Sequence, residues 1–450
     1  MKKTPALLSI LIAAAFGAGA TLHAGPVRAN DLLTVYREAL AYDAQFAAAR
    51  ASLAAGKERE SQGLAGLLPT IGLTANTTWN EEDSTRRGGG NITVSANYNS
   101  NRWLVQLTQP IFRWQNFMAY RQGELGAAQA GVQFGLARQD LIVRVAQAYF
   151  DVLLAQEAVA TTEAQRTAIA EQLESAKRNF EVGTATITDT HEAQARFDLA
   201  TAQEIAAQSD LVVKRQALRA VVGKEYENLK TLRSGVKLSP PQPNDIGKWV
   251  ESAEQGGLNV QLGQLGLEIA DKEVSKQRAG HYPTLDVVAT RGRDSATQQS
   301  ATLGFGYDTD RSTVGLQLSL PIFAGGYVVS KDREAVALRE KALADLDNAR
   351  RQSALAARQS YLGVTSGLSQ VNAYEAALVS SQSALDSNKL GYEVGVRINI
   401  DVLNAQSQLF DTRQKLAKAR LDTLTALLKL KSAAGTLSDE DVAAINALLD

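Results

Sequence analysis

The chain has 450 residues, a formal net charge of −1, 21% charged residues and no cysteine. The missing cysteine excludes disulfides, zinc thiolate sites, cysteine nucleophiles and the lipid-bearing cysteine of a bacterial lipoprotein. Three of the positive charges, Lys2, Lys3 and Arg28, lie ahead of residue 30 in a stretch without acids, so the remainder stands near −4 and has no electrostatic footprint for nucleic acid.

In chain order, Lys2 and Lys3 precede an almost uninterrupted apolar run from Ala6 to Ala15, and small-residue cleavage sites end at Ala24 and Ala29. Residues 1–29 therefore read as a secretory signal. Cleavage after Ala29 is favoured because Asn30-Asp31 then caps a helix opening on Leu32-Leu33. No later stretch is apolar for long enough to span a bilayer as a helix.

Beyond the signal the chain repeats itself. Leu68-Pro69-Thr70-Ile71 matches Tyr282-Pro283-Thr284-Leu285 at an offset of 214, and Gln109-Pro110-Ile111-Phe112 matches Leu320-Pro321-Ile322-Phe323 at 211. Ala148-Tyr149, Val182-Gly183 and Val222-Gly223 match Ser360-Tyr361, Val394-Gly395 and Ala434-Gly435, each at 212. A nearly constant offset marks a duplication, with residues 30–240 as one repeat and 241–450 as the other.

Each repeat opens with a helix rich in alanine, leucine and glutamine, from Asp31 to about Gly66 and from about Asp245 to Gly280. A strand pair follows over about 70–110 and 284–322. Ile71, Leu73, Ala75, Thr77 and Trp79 alternate with polar or small residues, as do Val314, Leu316, Leu318, Leu320 and Ile322. The turns are expected at Glu81 to Asn91 and Arg291 to Ser300; Gly88-Gly89-Gly90 lies between strands and reads as a loop tip, not a phosphate cradle. Trp79, Trp103 and Trp114 fit either an interfacial belt or ordinary packing.

Two proline-free helical tracts come next, Arg113 to Phe180 and Gly325 to Glu393, each a rod about 100 Å long at 1.5 Å per residue. Leu141, Val145, Val152, Val159 and Leu173 supply an apolar seam along the first. Short breaks, Val182 to Ile187 and Val394 to Ile400, lead into helices reaching Val222 and Ala434. Rods of this length must pack side by side. Lys224 to Ile246, with Pro240, Pro241 and Pro243, links the repeats and is expected to form a small mixed patch against the rods.

The alternation in the strands suits either a soluble sandwich or a membrane β-barrel. Hairpins at the end of a long rod have no globular partner to cover an apolar face, which favours the barrel. Lipid does not tolerate open sheet edges, so four strands cannot span a membrane alone. Two chains give eight strands and a filled interior; three give twelve and room for water.

The Leu-Pro-Ile-Phe-Ala-Gly-Gly strand boundary, the break Gly391-Tyr392-Glu393-Val394-Gly395-Val396-Arg397, the run Asp401-Val402-Leu403-Asn404-Ala405-Gln406 and the terminal Lys431-Ser432-Ala433-Ala434-Gly435-Thr436-Leu437 resemble the TolC family of outer-membrane efflux and secretion ducts. The resemblance covers essentially the whole mature chain. It implies a mixed α and membrane β fold, a homotrimer with a twelve-stranded outer-membrane β-barrel continuous with a long periplasmic α-helical barrel. It also implies docking to a periplasmic adaptor protein and an inner-membrane ABC or RND transporter, and an iris-like periplasmic gate. A pore-less periplasmic scaffold would instead give a soluble product.

By motif, the resemblance assigns the gate to Tyr392 and Arg397, with Thr188 and Asp189 as their partners in the first repeat. An Arg–Asp contact is charge-assisted and reversible. It assigns adaptor contacts to Val182, Gly183 and Thr184 and to Val394, Gly395 and Val396, where glycine permits close approach or positive φ. It places a cation-binding ring at Asp401 and at Asn404, which stands three residues on, on the same helical face, where the family carries a second acid. No catalytic, cofactor or metal site is expected: His191 has no second histidine at ligand spacing, and no nucleophile–base constellation is present. With one carboxylate per chain in the ring, block by multivalent cations in planar bilayers is expected to be weak and to vanish in Asp401→Ala; block that survives this substitution refutes the assignment.

Overall fold

The computed structural model describes residues 30–450 apart from 227, 234 and 302, so the expected signal over 1–29 lies outside the described residues. The first half runs α1 (Leu32–Tyr42), α2 (Ala44–Ala65), β1 (Thr70–Arg86), β2 (Ile92–Phe112), α3 (Trp114–Glu181) and α4 (Ile187–Val222). The second repeats the order with α5 (Ile246–Gly256), α6 (Leu258–Arg278), β3 (Thr284–Ala296), β4 (Tyr307–Ser319), α7 (Tyr327–Glu393) and α8 (Asn399–Ala433), and adds α9 (Asp439–Asn446).

The rods are as long as the sequence requires, 68 residues in α3 and 67 in α7. The opening helix, expected to be continuous, is cut in both halves. Asp43, at ψ 118°, accepts the Phe46 N–H at 2.6 Å and so caps α2, while Arg144 of α3 grips the same carboxylate at 3.0 and 3.1 Å. Gly257, at ψ 133°, makes the matching cut between α5 and α6. Helix propensity could not reveal a break whose partner lies 101 residues away.

These cuts have an architectural consequence. Along the part nearer the sheet, α2 packs on α3, α3 on α6 and α6 on α7; farther along, α4 packs on α3, α3 on α8 and α8 on α7. The end of α8 abuts the start of α6, since a Cβ on Gly257 would meet the Ala433 carbonyl at 3.2 Å. Gly223, at φ 83°, ends α4 against the Tyr42 ring, where a Cβ would lie only 2.5 Å away. Two continuous rods and two end-to-end relays thus make a four-helix wall, and the cuts release α1 and α5 to lie on its outside.

There α1, α9 and the linker form a belt, including short bridges Asn30↔Leu229 and Leu232↔Leu449. Leu32, Val35 and Tyr36 pack against Leu141, Val145, Tyr149 and Val152 of α3 and Leu424 and Leu428 of α8. The seam expected along α3 therefore serves two partners: its belt-level residues meet the belt, while Leu173 packs with Ala193 of α4 and Leu403 of α8. The Tyr149 hydroxyl donates to the carbonyls of Asn30 and Lys230 at 3.1 and 2.8 Å, tying both ends of the first repeat to the rod.

The four strands form one antiparallel sheet in the order β1-β2-β3-β4. Their turns fall later than expected: β1 continues through Arg86, which shortens the first turn, and β3 through Ala296, which shifts the second without shortening it. Charged residues at the distal ends look like turn composition but remain paired, Glu81 with Asn97 and Arg293 with Asp310. The alternation read through Leu320 and Ile322 stops at Ser319, whereas β2 carries Pro110 at a register shift. Cross-strand register puts Ile71, Leu73, Trp103, Val105, Leu316 and Leu318 on one face, and Thr70, Thr74, Thr108, Thr290 and Gln317 on the other.

The Arg144 guanidinium holds the Asp43 carboxyl below its ordinary range. Such a depressed group stabilises the folded chain at neutral pH, and that contribution is lost as pH falls through the folded-state value. Asp43→Ala removes the cap and leaves Arg144 with Asp140 alone, and is expected to cost roughly 2 kcal/mol. Its lowered thermal midpoint at pH 7 should converge with that of the native chain in strong acid, and a pH-independent difference would exclude the ion pair as its source.

Candidate functional site: the helix tips and the concave face

At the end of the wall remote from the sheet, two tight turns join α3 to α4 and α7 to α8. In the first, the Thr184 N–H donates to the Asn179 carbonyl at 2.8 Å; in the second, the Val396 N–H donates to the Gly391 carbonyl at 2.9 Å. Gly183 and Gly395 both sit at φ 77°, a left-handed conformation that is costly for other residues. The turns expose Val182 (73%), Val394 (64%) and Val396 (76%). Clustered apolar side chains held outward on rigid turns are suited to docking.

The residues singled out as a gate are near one another but are paired differently from expectation. Within the chain Arg397 lies 3.6 Å from Asp401, on the helix it precedes, and not against Asp189. The Asp189 carboxylate accepts from the Thr186 N–H at 2.9 Å and the Thr186 hydroxyl at 2.7 Å, closing a capping box on α4. Thr188 is exposed. The Tyr392 hydroxyl accepts from the Asn179 side chain at 3.0 Å, which links α7 to α3.

A stronger link was not evident from the sequence. Asn399 is 2% exposed, at the first turn of α8. Its amide nitrogen donates to the Asp189 carbonyl at 3.3 Å, and its oxygen accepts from Gln172 of α3 at 2.5 Å. One buried amide thus reads α3 and α4 together and joins the two repeats at their tips. The available signal was a difference between the copies: at the repeat offset of 212, Asn399 stands where the first copy has Ile187.

Asp401 is half-buried and Asn404 exposed. The Asn404 side-chain oxygen accepts from Arg196 of α4 at 3.1 Å. From there a run of hollows follows the face of the wall opposite the belt. A hollow of about 540 Å³ lined by Arg196, Ala158 and Asp411 shares residues with the next, which holds Asp151, Lys214 and Lys418. The run continues past Gln147 and Lys429 to Arg144. This continuous concave face is polar and lined with charges of both signs. Among the described residues no His, Cys, Asp or Glu cluster has metal-site geometry, and no helix is long and apolar enough to cross a membrane.

The sheet supplies the other functional surface. Ile71 (71%), Leu316 (72%) and Leu318 (69%) project from its apolar face. On the opposite face Arg113, at the start of α3, grips buried Asp286 of β3 with two contacts of 2.7 and 2.6 Å. That pair fixes the strand-to-rod junction and joins the two repeats at the sheet end as Asn399 does at the tips. Trp79 and Trp103 stand on the apolar face, whereas Trp114 packs on Phe117.

A long helical wall fused to a sheet with one apolar and one polar face defines an outer-membrane channel of the efflux type. The chain belongs to the outer membrane efflux protein family, whose model matches residues 35–224 and again 249–436. It is 32% identical to outer membrane protein TolC of Vibrio cholerae, covering 99% of this chain and 98% of that one. It is also 33% identical to the alkaline protease secretion protein AprF of Pseudomonas aeruginosa, over 95% and 89% of the two chains. The fold matches the Campylobacter jejuni outer membrane channel CmeC with a TM-score of 0.77 at 16% identity over 93% and 90% of the chains. It likewise matches the open state of the Neisseria gonorrhoeae MtrE channel with a TM-score of 0.71 at 18% identity over 91% and 90%. The protein is thus an exit duct of the Gram-negative outer membrane that serves efflux or type I secretion, and its relatives are channel proteins.

Asn399→Leu leaves the Gln172 amide and the Asp189 carbonyl without their buried partner, at a cost of roughly 1–3 kcal/mol. More frequent wide-open conductance events in planar bilayers are expected; a record matching that of the native channel would show that this link does not hold the tips closed.

Proposed function

We propose that three copies close into one duct, with a twelve-stranded barrel in the outer membrane and the four-helix walls joined into a periplasmic tunnel. The observation that carries this is the sheet: β1 and β4 both present unpaired edges. In lipid each free N–H and C=O costs several kcal/mol, and the edges are satisfied only if β4 of one copy pairs with β1 of the next. Three copies give twelve strands, the smallest ring with an aqueous lumen. The same closure covers the flanks of the wall, where Ile205, Val212 and Val213 of α4 and Leu343, Leu355 and Val379 of α7 are exposed in the single chain.

In this reading the belt rings the outside of the tunnel and the concave face lines its lumen. The tips form a gate that opens like an iris. Arg397 and Asp189 are unmatched across repeats within one chain, so their contact is assigned between neighbouring chains, with Thr188 beside it. Tyr392 and Asn399 hold the links inside each chain. The exposed valines and Gly183, Thr184 and Gly395 of the turns dock a periplasmic adaptor, which brings an inner-membrane ABC or RND transporter to the tunnel mouth. The substrate moves passively and the protein performs no catalysis.

Membrane extracts should yield a heat-sensitive band of three protomers, and one cysteine on β1 with one on β4 should join chains covalently in rings of three. Monomers or closed dimers would overturn the proposal.

A further inference from the structure

The cations along the concave face are nearly all compensated. Lys214 lies 3.5 Å from Asp151, Lys415 lies 2.7 Å from Asp411 and Lys418 lies 2.9 Å from Asp422. Arg196 differs. Glu192, one turn earlier on the same helix, has the spacing at which an ion pair forms. The guanidinium turns instead to the neutral Asn404 oxygen at 3.1 Å, and Arg196 makes no ion pair among the described residues. Lys429, at belt level, is the other lining cation without one.

We propose that Arg196 sets the charge preference of the duct near its periplasmic end, by holding an uncompensated guanidinium toward the permeating solute. This rests on the trimeric duct described above, in which the hollow at Arg196 faces the lumen. Three features give the residue its weight. It is half-buried, so less of its field is screened than at an open surface. It sits about two and a half turns from the start of α4, near the tips where the helices of neighbouring chains converge. Closure repeats it three times around one axis, and fields from like charges in a narrow, low-dielectric passage add. The hydrogen bond to Asn404 fixes its direction without cancelling its charge, which a carboxylate at residue 404 would do. Arg196 thus favours carboxylate- or phosphate-bearing solutes and disfavours multivalent cations, and residues 196 and 404 act as one unit.

The test is the reversal potential of the purified channel in planar bilayers under a potassium chloride gradient. Arg196→Gln should lower the anion-to-cation permeability ratio roughly two- to threefold, and less at molar salt, where screening is complete within a few ångströms. Arg196→Lys should keep the native ratio, which separates charge from packing. Asn404→Asp alone should lower the ratio, because the new carboxylate pairs with Arg196, and the double variant should lower it further and strengthen block by trivalent cations. An Arg196→Gln channel of native conductance with an unmoved ratio would overturn this assignment alone. Absence of any channel from the native chain would overturn the duct reading and the assignment with it.

Discussion

The structure depends on one constraint: a helix of 68 residues needs neighbours along its entire length, and no single helix of this chain supplies them. α3 and α7 run the full height, and the space between and beside them is filled in relay, α8 by α6 and α4 by α2. Each relay junction needs a tight ending. Gly257 and Gly223 provide these: a side chain at Gly257 would collide with the Ala253 carbonyl and crowd that of Ala433, and one at Gly223 would collide with the Tyr42 ring. The chain displaced at each junction becomes the belt, so the belt is a consequence of how the wall changes helices.

Among the contacts that join the repeats, two stand at the ends of the wall. The two halves already share the β2–β3 ladder and a long helical seam. Arg113 on Asp286 at the sheet end and Asn399 on Asp189 and Gln172 at the tips fix their relative height. The side chains that make both ties, Arg113, Asp286, Asn399 and Gln172, differ between the copies, so divergence adds to the register that the β2–β3 ladder sets. The sheet-end tie is a bidentate ion pair with a buried acid, costly to break. The tip tie is a neutral amide, which can exchange its partners for water at lower cost.

Much of this was legible in the sequence, for definite reasons. The rods, their breaks at Val182 and Val394 and the strand pairs came from composition, proline placement and period, all local properties that the fold does not override here. The break at Asp43 was not legible, because Asp43 becomes a cap only when Arg144 arrives from α3. The strand ends were misjudged because paired charged residues beyond an apolar band have the composition of a turn. At the site, the resemblance singled out Tyr392, Arg397, Asp401 and Asn404, all found at or near the second tip. It did not indicate that Asn399 would be buried or that Arg196 would reach across to Asn404.

By itself the sequence determined that there are two copies of one unit, that each carries a rod and a hairpin, and that the hairpins carry an apolar face, since periodicity and repetition are read along the chain. Tertiary structure alone decided which helices share a wall, which carboxylate each arginine meets, and which face of the wall is concave. Those are relations between residues tens to hundreds of positions apart, and a hydrogen bond such as Asn399 to Asp189, 210 residues away, leaves no local trace in composition or period.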